Sequence, residues 1–598
     1  MGSRQGLYFL RPFIFSRLSK DETAYARFFS AACSISKRQG TRVAAPSRCL
    51  HNAAVKAQPE TEHGYDAAAA ELSHPAAADG RIQKLKEYNA LQYPRISHQG
   101  NRMSIPKFRH TFENVTTSAP ASEEVLLQGR IMSIRASGSK LLFMDISGDF
   151  EKVQVMISLN NVPVANQEEF KRTLHPLLRG DIVSVTGTAM RTSSGELSLK
   201  ATALPCLLSP CVAPLPEKLI SEETRILKRH VDLLVNRKTA DVLRLRSYII
   251  KYLRDFFHER DFVEVQTPLL ADYAGGAAAR PFLTSATEFP NKELALRIAP
   301  ELWLKRLVVG GMNKVFEIGP AFRNEGLDTT HNPEFTICES YSAYSNLQEL
   351  MAMTESLIRG LLEHTKQLKE CKLPTLDIAE LAEQSEGSWR QVEFIPALED
   401  ALGIKLPNLS DPDALEQLTK LLEGKSRLPP VAPEGASLNK LLDHLASMHL
   451  EGGSLAAPLF ITHHPACMAP LAKSFACPRT GQLVSARAEL FVAGREIANM
   501  YEEENDPFEQ RRKFELQVRS RVDRGNIDGE KGDGGEEGQA RVDESYVRAL
   551  EHGLPPTGGW GCGIDRLVMV FSGATRIADV LSFGSLRNVV SLSQAVKK

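Results

Sequence analysis

Residues 296–341, LRIAPELWLKRLVVGGMNKVFEIGPAFRNEGLDTTHNPEFTICESY, restrict the possible folds more than any other stretch. Val315–Arg323 alternates apolar and polar residues, Asn324–Thr330 interrupts, and a second run extends from about Glu334 to Tyr341. This pattern predicts strand, loop, strand. Side chains two apart on a strand share a face, so Phe335, Ile337, Glu339 and Tyr341 point the same way. A core segment has no use for Arg323, Glu325, His331, Glu334 and Glu339 in such proximity. Charges that dense beside strands lie on solvent or meet a charged ligand, and a face carrying a ring, a carboxylate and a phenol favours the ligand.

Two later stretches have the same character. In RAELFVAGREIANMYEE, residues 487–503, Asn499, Tyr501 and Glu503 share a strand face. Glu489 and Glu496 flank Ala493-Gly494, where a hairpin would turn the two carboxylates back toward each other. Paired carboxylates beside phosphates suit Mg²⁺, a hard cation with oxygen ligands; solvated hairpin acids are the plainer alternative. In GLPPTGGWGCGIDRLVMVF, residues 553–571, Gly558, Gly559, Gly561 and Gly563 allow the backbone to approach a ligand. Arg566 opens the following apolar helical run and could stack on a base or hold phosphate.

The 598-residue length accommodates several domains. A net charge of −1 confines any nucleic-acid surface to a local patch. The nine cysteines include no CxxC pair, which argues against structural zinc. No apolar run approaches the ~18–20 residues of a membrane span, so no membrane partner is expected. Residues 1–50 carry Arg4, Arg11, Arg17, Lys20, Arg27, Lys37, Arg38, Arg42 and Arg48 against only Asp21 and Glu22, with much serine. That is the composition of a mitochondrial transit peptide.

Residues 51–105 are expected to hold a linker and a short helix over 81–93 that Pro94 ends. Within 106–220, strands are expected at Glu124–Ile134, Lys140–Asp145, Val153–Ile157, Asp181–Ala189 and Glu196–Ala201, with a helix over Asn166–Leu178. Turns are expected at Ser137-Gly138, Ser147-Gly148, Arg179-Gly180 and Ser194-Gly195. Five strands with a helix between the third and fourth give the OB-fold order, a frequent holder of single-stranded nucleic acid. Arg135, Phe143 and Gln154 could serve such binding. Residues 221–598 read as an α+β domain, with an amphipathic helix over 239–260 and a strand over Phe262–Thr267. Residues 424–436 read as a Pro-rich loop and 524–541 as a flexible Gly-rich insertion.

FVEVQTP, FRNEG…HNPEF and GWGCGIDR occur in this order. They resemble motifs 1, 2 and 3 of the class II aminoacyl-tRNA synthetases. GGAAARPF, RIAPELWLKRLVVGG and HNPEFTICESY narrow the likeness to the lysyl-tRNA synthetases, mitochondrial type, over about residues 81–598. The resemblance implies an N-terminal OB-fold barrel for the anticodon, then a catalytic antiparallel sheet flanked by helices, paired as a homodimer through motif 1. It implies ligation of lysine to tRNA(Lys) through lysyl-adenylate, with ATP as substrate and Mg²⁺ as cofactor; the basic first fifty residues place the expected enzyme in the mitochondrial matrix.

It also assigns residues. Arg323 and Arg566 would be catalytic. Gly276, Glu301, Glu339, Tyr341, Asn499 and Glu503 would bind lysine. Arg323, Asn324, Glu325, His331, Asn332, Phe335, Glu496, Ile497, Gly563, Ile564, Asp565 and Arg566 would bind ATP, with adenine between Phe335 and Arg566. Glu489 and Glu496 would hold Mg²⁺, and Arg135, Phe143, Gln154 and Glu196 would read the anticodon. The chain departs from the family at Thr330 and Ala578, where arginine is common, and at ANMY, residues 498–501. An aspartyl- or asparaginyl-tRNA synthetase would share the two-domain plan, but Glu339 and Glu503 would repel an acidic side chain. A non-catalytic RNA-binding relative would tend to lose the ATP-handling residues retained here, and a protein-lysylating ligase lacks the barrel.

Overall fold

The computed structural model describes residues 75–96, 100–272, 279–423, 437–527 and 542–595, all within one unit, Ala70–Lys598. The expected transit peptide, the Pro-rich loop and Gly276 lie outside the described residues. The first helix, α1 (Pro75–Glu87), begins earlier than expected and ends well before Pro94. Asn89 takes φ 53° and the Ala90 N–H reaches back to the Leu85 carbonyl. A left-handed asparagine thus closes the helix, as C-caps commonly do. Arg81 of α1 donates to both oxygens of Asp181 at 3.1 and 2.8 Å. Asp181 also accepts from the Leu178 and Cys211 amides, so this buried charge is fully engaged.

After α2 (Ile105–Thr111) come β1 (Glu124–Ser137), β2 (Leu141–Gly148), β3 (Glu151–Ser158), α3 (Gln167–Leu174), β4 (Ile182–Arg191) and β5 (Leu197–Ala201). β1 pairs with both β2 and β4, β4 with β5, and β5 runs parallel to β3. The ring is therefore closed and leaves the barrel without free edges. Val125, Leu127, Met144, Ile146, Val155 and Val185 alternate inward to fill it. The β2–β3 turn is not at Ser147-Gly148. It falls at Asp149 and Phe150, with φ 50° and 67°. Phenylalanine is an uncommon left-handed residue, and here its ring is held from outside: the guanidinium of Arg244 lies 4.7 Å from the ring centre and that of Arg237 5.6 Å. Arg237 also donates to the Phe150 carbonyl, so this turn docks the barrel on the next domain.

Arg237 and Arg244 belong to α4 (Arg237–His258). Ile249, Leu253, Phe256 and Phe257 of this helix are all buried, as their spacing predicts. The strand expected over Phe262–Thr267 shrinks to β6 (Val263–Glu264). It pairs with the domain's main sheet for only two residues before Pro268 intervenes. Then follow α5 (Glu301–Val309), β7 (Lys314–Phe322), β8 (Glu334–Ala343), α6 (Leu347–Cys371), β9 (Arg390–Glu393), α7 (Phe394–Leu402), α8 (Leu438–His449), β10 (Leu459–Thr462), β11 (Arg487–Val492), β12 (Arg495–Glu502), α9 (Glu544–Leu550), β13 (Thr557–Gly563) and α10 (Ile564–Ser572). The sheet order is β9-β10-β11-β12-β13-β8-β7-β6. Its interior is antiparallel as expected, but both edge pairs, β9–β10 and β7–β6, are parallel. α4, α6 and α10 cover one face, packing Phe257, Leu357 and Leu567 in one core with Trp560 of β13. A second cluster from α7 and α8 packs on Phe491, toward one end of the other face. Helix Pro507–Ile527 runs into the span expected to be a flexible insertion, whose first residues are therefore helical.

Candidate active site

The sheet face not covered by α4, α6 and α10 carries the cavity, about 930 Å³. Its floor follows from one strand's composition. In β13, Gly559, Gly561 and Gly563 project toward the cavity side, while Trp560 faces the buried core. Register places Tyr341 and Tyr501 on either side of Gly559, and Glu339 and Asn499 on either side of Gly561. A strand without side chains between two that carry them makes a trough. The glycine is required at one position: a Cβ on Gly559 would lie 1.9 Å from Glu503 Oε1 and 2.8 Å from Tyr341 Cε1.

The closed end of the trough is acidic. Glu339 and Glu503 are buried, and the Tyr341 hydroxyl donates to Glu339 Oε2 at 3.1 Å. Burial, then the nearby Glu301 charge, pushes the Glu339 carboxyl up to about 8. Glu301, first residue of α5, accepts from the Tyr501 hydroxyl at 2.5 Å and from Lys305 at 2.9 Å. Lys305 also donates to Glu503 Oε2 at 2.8 Å. Its ammonium stays charged far into the alkaline range because the two carboxylates outweigh the burial penalty. Glu503 Oε1 is buried with no hydrogen-bond partner. Glu503 itself lies below the cavity lining, with Oε1 over Gly559, which does line it.

Toward the open end, Arg323 lies over the Phe335 ring, 5.1 Å from its centre, with a buried, unpartnered Nε. Arg566 donates to Glu496 Oε2 at 2.9 Å and lies 2.8 Å from His331 Nε2. His331 Nδ1 is 2.7 Å from Asp328. Asp328 is held down at about 2: its slight burial opposes this, but hydrogen bonds from Thr330 and His331 prevail. Thr330 at the family's arginine position therefore turns inward to brace its own loop, its hydroxyl donating to Asp328 at 2.9 Å. Ala578, the other departure, is buried, and its carbonyl is among those that receive the Arg229 guanidinium.

The Ala493-Gly494 hairpin forms with φ 50° and 73°. A bulge between Leu490 and Phe491 sets Glu496 opposite Phe491, which puts it on the cavity face although it is three residues from Asn499. Glu489 is engaged by Arg487 and by His464 at 3.2 Å. Despite burial, the Arg487 charge and the hydrogen bonds from Arg487 and His464 hold it down at about 2. Arg487 also donates to Asn499 Oδ1 at 3.1 Å. Among the described residues no cluster of three or more His, Cys, Asp or Glu offers a metal cage. Two carboxylates with lone pairs to spare fit a different type of site, one that shares its cation with phosphates and water.

Glu301, Arg323, Glu325, His331, Asn332, Phe335, Glu339, Tyr341, Glu489, Glu496, Ile497, Asn499, Gly563, Asp565 and Arg566 all line the cavity. Three of the expected nucleotide residues are placed less directly. Ile564 has its side chain fully buried in the core behind the sheet. Asn324 does not line the cavity; its exposed side chain stands off it, while its amide donates to the Arg280 carbonyl. Asp565 reaches the wall, but its carboxylate is committed to Arg246 and the Thr336 amide. Asn332 is similarly engaged at both ends, by the Glu334 carbonyl and the Leu586 amide. Sequence reasoning passed over Lys305, Arg246, Arg487 and the special need for Gly559. The four-residue spacing of Glu301 and Lys305 on a helix was the one available signal.

In the barrel, Arg135 and Phe143 are cross-strand partners, and Asp145, two residues on, opposes Gln154. Gln154 donates to Glu196 at 3.0 Å. Arg135, Phe143, Gln154 and Glu196 thus gather on one side of β1, β2 and β3 and the entry to β5. Among the described residues no helix is long and apolar enough to cross a membrane.

Two family profiles match the chain: tRNA synthetases class II (D, K and N) over residues 221–587, and the OB-fold nucleic acid binding domain over residues 125–207. The chain is 41% identical over 521 residues to the mitochondrial lysine–tRNA ligase of Schizosaccharomyces pombe, across 86% of this chain and 94% of that protein. It is 38% identical over 471 residues to the lysine–tRNA ligase of Listeria monocytogenes, across 78% and 88%. With the probable cytoplasmic lysine–tRNA ligase of Encephalitozoon cuniculi it shares 36% identity over 516 residues, across 85% and 95%.

Proposed function

The chain belongs to the class II tRNA synthetases of the D, K and N group, and within it to the lysine–tRNA ligases, and from that membership we propose how its cavity carries out the reaction. It is an ATP-dependent ligase that charges tRNA with lysine. In our reading the lysine side chain lies along the glycine trough, with its ε-ammonium against Glu503 Oε1, Glu339 and Tyr341. Glu301 receives the α-ammonium, with Gly276, and Asn499 borders the chain between them. The observation that carries this assignment is the unpartnered Glu503 Oε1. A buried acceptor without a donor is costly, and an ammonium at that point satisfies it.

Arg323 then holds the lysine carboxylate against the α-phosphate of ATP. Its guanidinium faces the charge that grows as the carboxylate oxygen attacks phosphorus and pyrophosphate departs. Phe335 and Arg566 take the adenine, while Glu325 and His331 border the nucleotide. Glu489 and Glu496 would hold Mg²⁺, which when bound supplies Lewis-acid charge at the phosphates. No covalent nucleophile is needed, since attack and departure are matters of positioning. The lysyl group passes from the adenylate to the terminal ribose of tRNA(Lys), whose anticodon rests on the barrel at Arg135, Phe143, Gln154 and Glu196. We further assign the enzyme to the mitochondrial matrix, from the basic, acid-poor first fifty residues, and to a homodimer joined through motif 1.

A buried ion pair that loses one partner costs on the order of 3–5 kcal/mol, so a neutral side chain is rejected strongly. Ornithine, one methylene shorter, is rejected by only about 1–3 kcal/mol. The test is ATP–pyrophosphate exchange across amino acids. Wild-type exchange should depend on lysine, and Glu503→Gln should raise the lysine KM far more than that of ATP. An unchanged lysine KM and turnover in Glu503→Gln would remove the assignment.

A further inference from the structure

Lys305 is itself a lysine at the closed end of the trough, and nothing in the proposed chemistry uses it. Its side chain and that of Glu503 are 0% exposed. Its ammonium lies 2.9 Å from Glu301 and 2.8 Å from Glu503, the proposed acceptors of the two substrate ammoniums. The ring of Tyr546, 5.2 Å away, covers another side. Lys305 does not line the cavity, so it acts through its partners.

The charges can be counted. With lysine bound, when an ammonium against each requires the Glu339 and Glu503 carboxyls to be ionised, Glu301, Glu339 and Glu503 count as negative and Lys305 and Arg323 as positive; one negative charge remains. The neighbouring Arg297–Glu317, Arg487–Glu489 and Arg566–Glu496 pairs are each balanced. Free lysine, with two ammoniums and one carboxylate, carries one positive charge. Without Lys305 the groups assigned to lysine would carry two negative charges and match a ligand with two positive ones. In a low-dielectric site a mismatch of one charge weighs heavily.

We propose that Lys305 is a positioning residue that sets amino-acid specificity: it bridges Glu301 and Glu503 and trims the pocket to the single net charge that lysine complements. Through it the site distinguishes lysine from diamines of the same length that lack the carboxylate. The inference rests on the assignment of lysine to this trough.

The test compares lysine with 1,5-diaminopentane, which has the same carbon chain and two ammoniums but no carboxylate. Its inhibition constant against lysine-dependent ATP–pyrophosphate exchange, divided by the lysine KM, measures the discrimination. Lys305→Met should lower this ratio at least tenfold. Because a buried lysine cannot always be removed without unfolding, the same ratio is measured in Glu503→Gln and in Glu503→Gln/Lys305→Met. The double variant removes both partners of one pair and leaves Glu301 with the Tyr501 hydroxyl. There too, loss of Lys305 should lower the ratio at least tenfold. A merely structural lysine would weaken lysine and the diamine by the same factor, so a smaller change in the ratio overturns the proposal. Absence of lysine-dependent exchange in the wild type would instead defeat the assignment of the site.

Discussion

Glu339→Gln separates what the acidic trough does for binding from what it does to folding. The Glu339 carboxyl is raised from its usual 4.5 to about 8 by burial and by Glu301. Between those values the native, ligand-free protein binds a proton that the unfolded chain has released. Stability therefore falls as pH rises through this window and levels off above about pH 8. At about 1.4 kcal/mol per pKa unit the contribution reaches at most about 5 kcal/mol, before relaxation around the charge reduces it. Glutamine keeps an oxygen for the Tyr341 hydroxyl and cannot ionise. Ligand-free Glu339→Gln should match wild type near pH 5 and melt at a higher temperature near pH 8.

Lysine should reverse the ranking. An ammonium against Glu339 requires the ionised form, so at pH 7 lysine binding should release about 0.9 proton from that carboxyl. Isothermal titration calorimetry in buffers of different ionisation enthalpy reads this number directly. Wild-type lysine affinity should rise at least about twentyfold between pH 6.5 and 8.5, with a smaller rise in the variant, where Glu503, also raised by burial, is the carboxyl left to ionise. If the wild-type and Glu339→Gln melting curves differ by the same amount at pH 5 and pH 8, and proton release is unchanged, Glu339 is not the raised carboxyl and the trough is not built as described.

Gly559→Ala should raise the lysine KM roughly ten- to hundredfold, from the about 1–3 kcal/mol of overpacking against Glu503 and Tyr341, with the ATP KM within about twofold; equal losses for both substrates would indicate general collapse. Arg244→Ala removes a guanidinium from the Phe150 turn and should raise the tRNA KM in aminoacylation while leaving lysine-dependent exchange intact, a split that matched steady-state assays reveal. Arg81→Met leaves Asp181 buried without its cation and should destabilise the barrel by about 3–5 kcal/mol, seen as an earlier, separate transition in calorimetry; a single unshifted transition would count against that role.

The sequence made Glu339 and Tyr341 legible because period two fixes which side chains share a face, whatever surrounds the strand. It could not show that a glycine strand lies between them and Tyr501, because that depends on β13 separating two strands more than 150 residues apart in sequence. Glu496 needed a bulge to reach the cavity, and a bulge leaves no mark in an alternation pattern. Phe150 was misread for a related reason. Turn chemistry favours Gly, Asn and Asp, and a left-handed phenylalanine makes sense only once two arginines from another domain hold its ring. Lys305 is the most instructive omission. On a helix drawn from sequence it is a solubilising i,i+4 partner of Glu301, worth a few tenths of a kcal/mol. Glu503 and Tyr546, brought from far along the chain, bury the pair and turn it into a fixed charge beneath the pocket. Local pattern thus identified the groups that touch the ligand, whereas the net charge those groups present is a property of the assembled sheet.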